Sequence, residues 1–565
     1  MDSQRLILFF VFSFSVFMLL DAWQRDQQPA RPPSAVAAKD EKAMPPSAQP
    51  PVPGEKLTAS QSAVPKQGRG APETGATIRV ETDVLIADIS SYGGDLRRLE
   101  FKNHRDTLDR SKNFVLFETG AARTYIAQAG LIGSGLPNHR TLYAATADQY
   151  RLGDGQGELE VRLTAPTAEG AQVNKSYRFR RGSYLIDVGF EIVNGGAAAI
   201  QPYAYFQLVR DETPPAGDSA MLPTFTGVAL YTEKDKFQKL AFSDIEKGKA
   251  QYPKNSEDGW IAMLQHYFFS AWLPRSGVRR EFYARRMEEG LYSAGVIVPV
   301  GTIVPAASGG VSVPLYAGPE EQEKLAKIAP GLELTIDYGW LTVIAVPLFW
   351  VLAWLNQWVG NWGVAIILLT VIIKLLFYPL SAASYRSMAK MRVLAPKLQK
   401  LKDQYGQDRQ RLQQAMMEMY KTEKINPLGG CMPIVVQIPV FIALYWVLLA
   451  SVELRHAPFA LGIEDLSKGA IGGSFFDFSS YAPFPYFALP ILMAATMWIQ
   501  TLLNPEPPDP VQAKVMKIMP IVFSVFFFFF PAGLVLYWLI NNVLSIAQQW
   551  RITRVLEREA ARRKS

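Results

Sequence analysis

One charged residue, Lys374, interrupts the largely apolar stretch LLTVIIKLLFYPL from Leu368 to Leu380. A charge at the centre of a bilayer costs on the order of 2.5 to 3.5 kcal/mol on insertion scales, and such residues usually face a helix bundle or a water-filled cavity. Thr370, Tyr378 and Ser381 stand at i−4, i+4 and i+7 from the lysine, so a continuous helix would carry them on the same face. The spacing predicts a polar stripe on a membrane helix.

A second polar stripe follows the last apolar segment of the chain. Asn541, Ser545 and Gln548 are spaced i, i+4 and i+7, and Gln437 lies in a third apolar segment. A single amide in a membrane helix is explained by bonding between helices, but several such groups with a cation predict a hydrated, positively charged groove. The candidate groove residues are Lys374, Thr370, Tyr378, Gln437, Tyr537, Trp538, Asn541 and Ser545.

Snorkelling is the alternative for the lysine. Lys374 precedes Ser381 by seven residues, or about 10 Å along a helix, which lies within conceivable reach of headgroups. Helical side chains lean toward the N-terminus of their own helix, however. The stem of Lys374 therefore points back toward the middle of the membrane if the helix enters from outside.

Motifs for catalysis or metal binding are missing from the sequence. The four histidines are scattered without ligand spacing, there is one cysteine, Cys431, and neither a P-loop nor a nucleophile elbow occurs. We expect no catalytic residues, no metal and no cofactor. Nothing in the chain could use ATP to drive transport.

Composition points to a membrane protein. Of 565 residues, 49% are hydrophobic and only 19% are charged, which is too apolar for an ordinary large soluble enzyme. The net charge of +7 comes from basic residues clustered in particular loops. A membrane surface or an RNA-bearing partner explains this clustering better than DNA does.

The first half of the chain has three predicted parts. Residues 1–24 form a signal-anchor transmembrane helix, since no small-x-small cleavage pattern follows the apolar run. Residues 25–75, rich in Pro and Ala, form a disordered tether. From 76–318 apolar and polar residues alternate between Gly, Asn, Asp and Pro turns, which predicts a large antiparallel β-sandwich.

The second half is predicted to be helical. Residues 319–358 form a linker and a helix that holds four tryptophans between Tyr338 and Trp358; it lies in the membrane interface, with a true span as the alternative. Residues 359–550 form a five-helix core. With the anchor this gives six transmembrane helices, and the five core segments are Trp362 to Leu380, Met432 to Ser451, Phe484 to Leu503, Met516 to Phe530 and Leu534 to Trp550.

Basic residues set the expected orientation. Between Ser381 and Gly430 there are ten Lys or Arg against four acidic residues, and the tail 551–565 has six against two. The positive-inside rule places both in the cytoplasm and the β domain outside.

Residues 381–427 are predicted to form a cytoplasmic helical hairpin. Its methionines, which either contact clients or hold the two helices together, are Met388, Met391, Met416 and Met419.

Long stretches of the chain resemble one known family. YPLSAASYRSMAKMRVLAPKLQKLKDQYG, NPLGGCMPIVVQIPVFIALYWVL and FPAGLVLYWLINNVLSIAQQW are similar to the YidC/Oxa/Alb family of membrane-protein insertases, in its Gram-negative form. The anchor, tether and β domain match the same family.

The resemblance implies a five-helix insertase core and a periplasmic β-supersandwich similar to sugar mutarotases. It also implies a charged groove closed toward the periplasm and open to cytoplasm and lipid. The charged residue is usually arginine and here is Lys374, which keeps the charge but not the bidentate fork. The loop from Gly462 to Pro483 is longer than the family predicts.

The implied partners are nascent membrane proteins, the Sec translocon, the ribosome through the cytoplasmic loops and basic tail, the signal recognition particle pathway and membrane lipids, but not DNA.

Two rival functions are weighed against insertion. A secondary transporter of small anions would also need an intramembrane cation, but internal repeats are expected there and none is found. A periplasmic carbohydrate-binding membrane protein would use the β domain, but it leaves the polar stripes unexplained. The sequence therefore favours an insertase of the bacterial inner membrane with both termini cytoplasmic.

Overall fold

The computed structural model describes Val64 and residues 75–120, 123–166, 170–215, 224–405, 408–422, 432–471, 481–503 and 510–562. The predicted anchor at 1–24 and nearly all of the tether at 25–75 lie outside these residues. The chain divides into two compact units. The larger unit comprises Leu57–Pro505 and Pro520–Ser565, and the smaller comprises Met1–Lys56 and Glu506–Met519.

The β domain is built from strands whose side chains alternate between core and solvent. In Ala171–Arg180, for example, every second residue is buried, as expected for a sheet with one face on a core. The strands are β1 (Thr77–Glu81), β2 (Leu85–Ser90), β3 (Leu96–Arg105), β4 (Asn113–Thr119), β5 (Thr124–Ile132), β6 (Ala144–Ala145), β7 (Gln149–Arg151), β8 (Glu158–Pro166), β9 (Ala171–Arg180), β10 (Leu185–Asn194), β11 (Tyr203–Asp211), β12 (Gly227–Thr232), β13 (Lys236–Leu240), β14 (Asn255–Ser256), β15 (Trp260–Gln265), β16 (Phe268–Trp272), β17 (Arg280–Arg286), β18 (Leu291–Pro299) and β19 (Ser308–Pro319).

Two sheets share these strands. One has ten strands in the order β14-β17-β18-β11-β5-β4-β3-β2-β1-β7, and the other has nine in the order β13-β12-β15-β16-β19-β10-β9-β8-β6. Neighbours pair antiparallel apart from β1 and β7, which run parallel. Apolar side chains from both sheets form one buried cluster. The predicted β-sandwich is confirmed.

The tether contributes one described contact to this domain. Val64 is buried against Tyr205, Tyr283 and Ile297 on the ten-stranded sheet. An Arg285 guanidinium nitrogen lies 3.4 Å from the carbonyl oxygen of Val64. Val64, eleven positions before Gly75, therefore packs on the β domain.

Helices make up most of the chain after β19. They are α1 (Phe242–Glu246), which lies within the β domain, then α2 (Gln322–Ile328), α3 (Thr342–Val359), α4 (Trp362–Leu376), α5 (Tyr378–Tyr405), α6 (Arg409–Thr422), α7 (Met432–Ala450), α8 (Phe484–Leu503), α9 (Pro510–Phe527) and α10 (Ala532–Arg562). Helix α10 packs against α8, α4 and α5, whereas α3 packs against α4 and α7. Helix α10 is thus the central helix of the core.

The described helices differ in whether they are long and apolar enough to span a membrane. Two are long and apolar enough to cross a membrane, Gly339–Val359 and Phe484–Leu503, and the bent pair Trp362–Leu376 with Tyr378–Ala389 makes a third if taken together. The count of six spans stays a prediction. So does the interfacial position of α3, whose length and composition would also suit a span.

Two expected segments have different bounds in the structure. The segment predicted from Trp362 to Leu380 is not one straight helix, because α4 ends at Leu376 and α5 departs at 66°. Pro379 explains the break, since its ring collides with the carbonyl of the residue four positions earlier. The segment expected at 516–530 is the helix Pro510–Phe527 of 18 residues, about 27 Å long, so it begins and ends earlier than predicted.

Candidate functional site

Three helices position the predicted groove residues. Helix α4 starts at Asn361, whose side-chain oxygen accepts a hydrogen bond from the Val364 amide at 3.1 Å, a regular N-terminal cap. Helix α10 follows Pro531, and α7 contains Pro439. Because α10 packs against both α4 and α7, polar residues one turn apart on α10 can contact both neighbours.

Lys374 and Ser545 meet between α4 and α10. The Lys374 ammonium donates to the Ser545 hydroxyl oxygen at 2.7 Å, and that hydroxyl donates to the Asn541 carbonyl oxygen at 2.7 Å. Lys374 is partly buried, whereas Ser545 is buried. Among the residues that the structure describes, no carboxylate forms an ion pair with Lys374. The charge is therefore held by a neutral hydroxyl.

Gln437 connects α7 to the same stripe of α10. Its amide nitrogen donates to the Asn541 side-chain oxygen at 2.8 Å and lies 3.3 Å from the Tyr537 hydroxyl. Asn541 is buried, and Tyr537 is only 1% exposed. Five of the predicted residues, Lys374, Gln437, Tyr537, Asn541 and Ser545, thus form one hydrogen-bonded chain across three helices, which we call the polar cluster.

Aromatic rings close one side of the polar cluster. Trp538 packs edge-on against Phe441 with ring centroids 4.9 Å apart, and against Phe527 at 5.7 Å. Phe441 also stacks on Tyr537. Trp538, which was predicted as a groove residue, therefore belongs to an apolar wall beside the polar cluster.

Besides Trp538, two predicted groove residues do not join the polar cluster. Thr370 is completely buried, and its hydroxyl donates to the Ile366 carbonyl oxygen of its own helix at 2.7 Å. Tyr378 begins α5 and is 43% exposed. The expectation that Tyr378 and Ser381 continue the stripe of Lys374 is wrong, because the helix breaks before them.

Other polar side chains also join α10 to its neighbours, and sequence reasoning missed Tyr385 and Gln549 among them. The Tyr385 hydroxyl of α5 interacts with Ser545, so this serine faces two helices. Asn542 lies 3.4 Å from the Thr496 hydroxyl of α8, and Gln549 donates to the Leu503 carbonyl oxygen at 3.0 Å. Asn542 and Gln549 are spaced i and i+7, which was a readable signal for a second polar face.

The predicted cytoplasmic hairpin consists of α5 and α6, which pack against each other. Met388, Met416 and Met419 are partly buried, and the side chain of Met391 lies outside the described residues. Met417, which was not predicted, is 52% exposed. Partial burial fits both roles considered for these methionines, so client contact stays a prediction.

Comparisons with known proteins cover nearly the whole chain. Residues 77–351 match the family model described as YidC periplasmic domain, and residues 354–559 match the one described as 60Kd inner membrane protein. Membrane protein insertase YidC of Nitrosospira multiformis is 56% identical over 99% of this chain and 98% of that protein. The protein of the same name from Methylobacillus flagellatus is 55% identical over 100% and 99%.

Solved structures are more distant. An active YidC insertase structure, with its first transmembrane domain resolved, covers 84% of this chain and 92% of that chain with 19% identity and a TM-score of 0.38. A galactose mutarotase related enzyme from Lactobacillus acidophilus covers 43% of this chain and 97% of that chain with 9% identity and a TM-score of 0.27. Neither score is high enough to define a shared fold, so the mutarotase-like form of the sandwich stays a prediction.

A large β-sandwich joined to a core of apolar helices, together with these matches, defines a membrane-protein insertase of the bacterial inner membrane. Its relatives are insertases and not enzymes. The chain belongs to the YidC family. Membership assigns it the insertion of nascent membrane proteins.

Proposed function

We propose that the polar cluster is where this insertase holds the polar segment of a client during insertion. The carrying observation is that, within the described part of the chain, Lys374 contacts a hydroxyl and no carboxylate. An ammonium group has three N–H donors, and one of them is used by Ser545. A client carboxylate or backbone carbonyl can take the others, where lipid offers no partner.

The proposed sequence of events begins at the hairpin of α5 and α6, where a nascent chain docks. Its polar segment, often acidic, enters between α4, α7 and α10 and is held by Lys374, Gln437 and Asn541. Helix α4 has 15 residues, or about 22 Å, against a hydrocarbon core of roughly 30 Å. Local thinning of the bilayer shortens the path. Burial of the client's apolar segment in lipid then supplies the free energy.

Reversing the charge of Lys374 tests this proposal. Lys374→Glu should abolish insertion of clients with acidic translocated segments into reconstituted vesicles, because two like charges would meet in a poorly solvated site. Lys374→Arg should insert them normally. A client whose translocated segment lacks acidic residues is the matched control and should be affected much less. Equal insertion of the acidic client by the native protein and both variants would contradict the charge proposal.

We also propose that both termini are cytoplasmic and the β domain periplasmic, following the positive-inside rule. The exposed residues Arg551, Arg554 and Arg558 fall on one face of the end of α10 at i, i+3 and i+7, a pattern suited to phosphate groups. This face supports contact with the ribosome and anionic lipid headgroups. The Sec translocon and the signal recognition particle pathway are proposed partners because of the family resemblance.

A further inference from the structure

The turn between β3 and β4 is tied to the helical core. Its residue Thr107 accepts two hydrogen bonds from the segment that follows α7. The Arg455 guanidinium donates to the Thr107 hydroxyl oxygen and the Lys468 ammonium donates to the Thr107 carbonyl oxygen, both at 2.9 Å. The tip of this β-turn, residues 106–112, is therefore held in place from outside the β domain.

Ion pairs to Arg110 support the same contact. Arg110 lies 2.9 Å from a Glu464 carboxylate oxygen and 3.2 Å from one of Asp465. The Asp465 side chain is completely buried and also lies 3.1 Å from His456 Nδ1. Removing a partner from a buried, paired charge is costly, so Arg110 cannot swing away from this position without loss of stability.

Three core helices begin next to the same segment. The Ala532 amide, at the start of α10, donates to the Lys468 carbonyl oxygen at 2.8 Å. The Glu464 amide donates to the hydroxyl of Tyr486 in the first turn of α8 at 3.2 Å, and the Asn361 amide group, which caps α4, donates to the Pro458 carbonyl oxygen at 3.2 Å. The tip therefore lies level with the first turns of these helices.

At this level the tip presents Leu108, whose exposed fraction is 77%. Exposed apolar side chains also occur at helix ends beside this segment, among them Phe484 at 77%, two residues before Tyr486, and Trp358 at 76%, three residues before Asn361. A single exposed leucine normally needs no explanation. Here the contacts of its neighbours Thr107 and Arg110 hold Leu108 in position, and no described residue covers its side chain.

We propose that Leu108 is a membrane contact of the β domain, inserted at the boundary between phospholipid headgroups and acyl chains. The tip together with Arg105 carries three basic and two acidic residues, so the net charge of this segment is small. Apolar contact, not charge, therefore provides the binding, and neutral phospholipids should serve as well as anionic ones. The proposal requires only that the core is in the membrane and does not depend on the role of Lys374.

Val304 provides a matched control at the other end of the domain. It is 54% exposed and precedes β19, whose 12 residues cover roughly 36 Å. The far end of β19, Pro319, pairs with Phe268. Phe268 stacks on Phe114 at 4.0 Å, just after the tip. Val304 and Leu108 therefore lie at opposite ends of the sandwich.

The test uses the full chain with Cys431→Ser and a single new cysteine, Leu108→Cys or Val304→Cys, labelled with an environment-sensitive fluorophore. The protein is reconstituted into vesicles of phosphatidylcholine alone, or with added phosphatidylglycerol. At position 108 we expect blue-shifted emission. Nitroxide-labelled phospholipid should quench this fluorescence, and iodide in the water should not. At position 304 we expect the reverse.

Three results would overturn the proposal. The first is a probe at 108 that iodide quenches as strongly as at 304. The second is lipid quenching only when phosphatidylglycerol is present, which would indicate charge-driven contact. The third is a probe at 108 that neither quencher reaches, because a protein partner would then be covering the tip.

Discussion

At the scale of single residues, the contacts of Lys374 indicate which property of its side chain the site uses. Its described hydrogen bond goes to one hydroxyl, that of Ser545. A single acceptor does not use the two-pronged geometry of a guanidinium. We therefore expect the site to need a positive charge more than a particular shape of donor, and we expect Lys374→Arg to remain active.

The polar cluster was partly predictable from residue spacing. Asn541 and Ser545 were found because a regular helix repeats its face every four residues, and α10 is regular through both. Thr370 was misjudged because its hydroxyl bonds to its own backbone, which spacing alone does not reveal. Tyr385 was missed because it contacts Ser545 from a helix whose direction is set by the bend at Phe377.

Glu453 carries a pH prediction. Burial, with smaller contributions from Glu321 and Glu323, raises the pKa of its carboxyl to about 7. A raised pKa gives stability that is complete below the ordinary value near 4.5 and is lost as the pH rises through 7. The melting temperature of the native protein should fall between about pH 5 and pH 8 more than that of Glu453→Gln.

Thermal unfolding in detergent, measured across that pH range, checks the Glu453 prediction. The exposed Glu158→Gln variant is the control and should keep the pH dependence of the native protein. An unchanged pH dependence in Glu453→Gln would show that other groups cause it.

At the scale of elements, strands were more predictable than helix ends. The β domain repeats with a period of two over many segments, so the sandwich followed from the sequence. The bend between α4 and α5 was missed although Pro379 signals it, because the apolar run continues through the proline. Contacts such as Lys468 with Thr107 join residues 361 positions apart, and no local pattern predicts them.

Gly363 tests how tightly α4 packs on the segment after α7. A methyl group at Gly363 would come 2.0 Å from the ring of Phe459. Overpacking of this kind typically costs about 1–3 kcal/mol, so Gly363→Ala should lower the melting temperature of the protein. The measurement is thermal unfolding in the same detergent as for the native protein.

The double variant Gly363→Ala with Phe459→Ala is the control for this clash. It should be less destabilised than the sum of the two single variants, because removing the ring makes room for the methyl group. Additive losses would mean that the clash at Phe459 is not the cause.

At the scale of the whole molecule, the β domain and the core are joined by hydrogen bonds and ion pairs, but the polar cluster lies entirely within the core helices. Deleting residues 76–318 should therefore leave insertion of simple clients largely preserved. Insertion into vesicles by the shortened and full-length proteins, each first checked for monodispersity, is the measurement. Complete loss of insertion by a monodisperse shortened protein would give the β domain an essential part in the activity.

The most direct test of the central proposal is crosslinking of a client during insertion. A ribosome-bound nascent membrane protein with an acidic translocated segment is presented to insertase carrying a photoreactive residue at 541, within the polar cluster, or at 543. Val543 lies on the same helix and is 45% exposed, which makes it the matched control. We predict adducts of the acidic segment at 541 and few at 543. Equal or stronger adducts at 543, with none at 541, would contradict a polar cluster that holds the client.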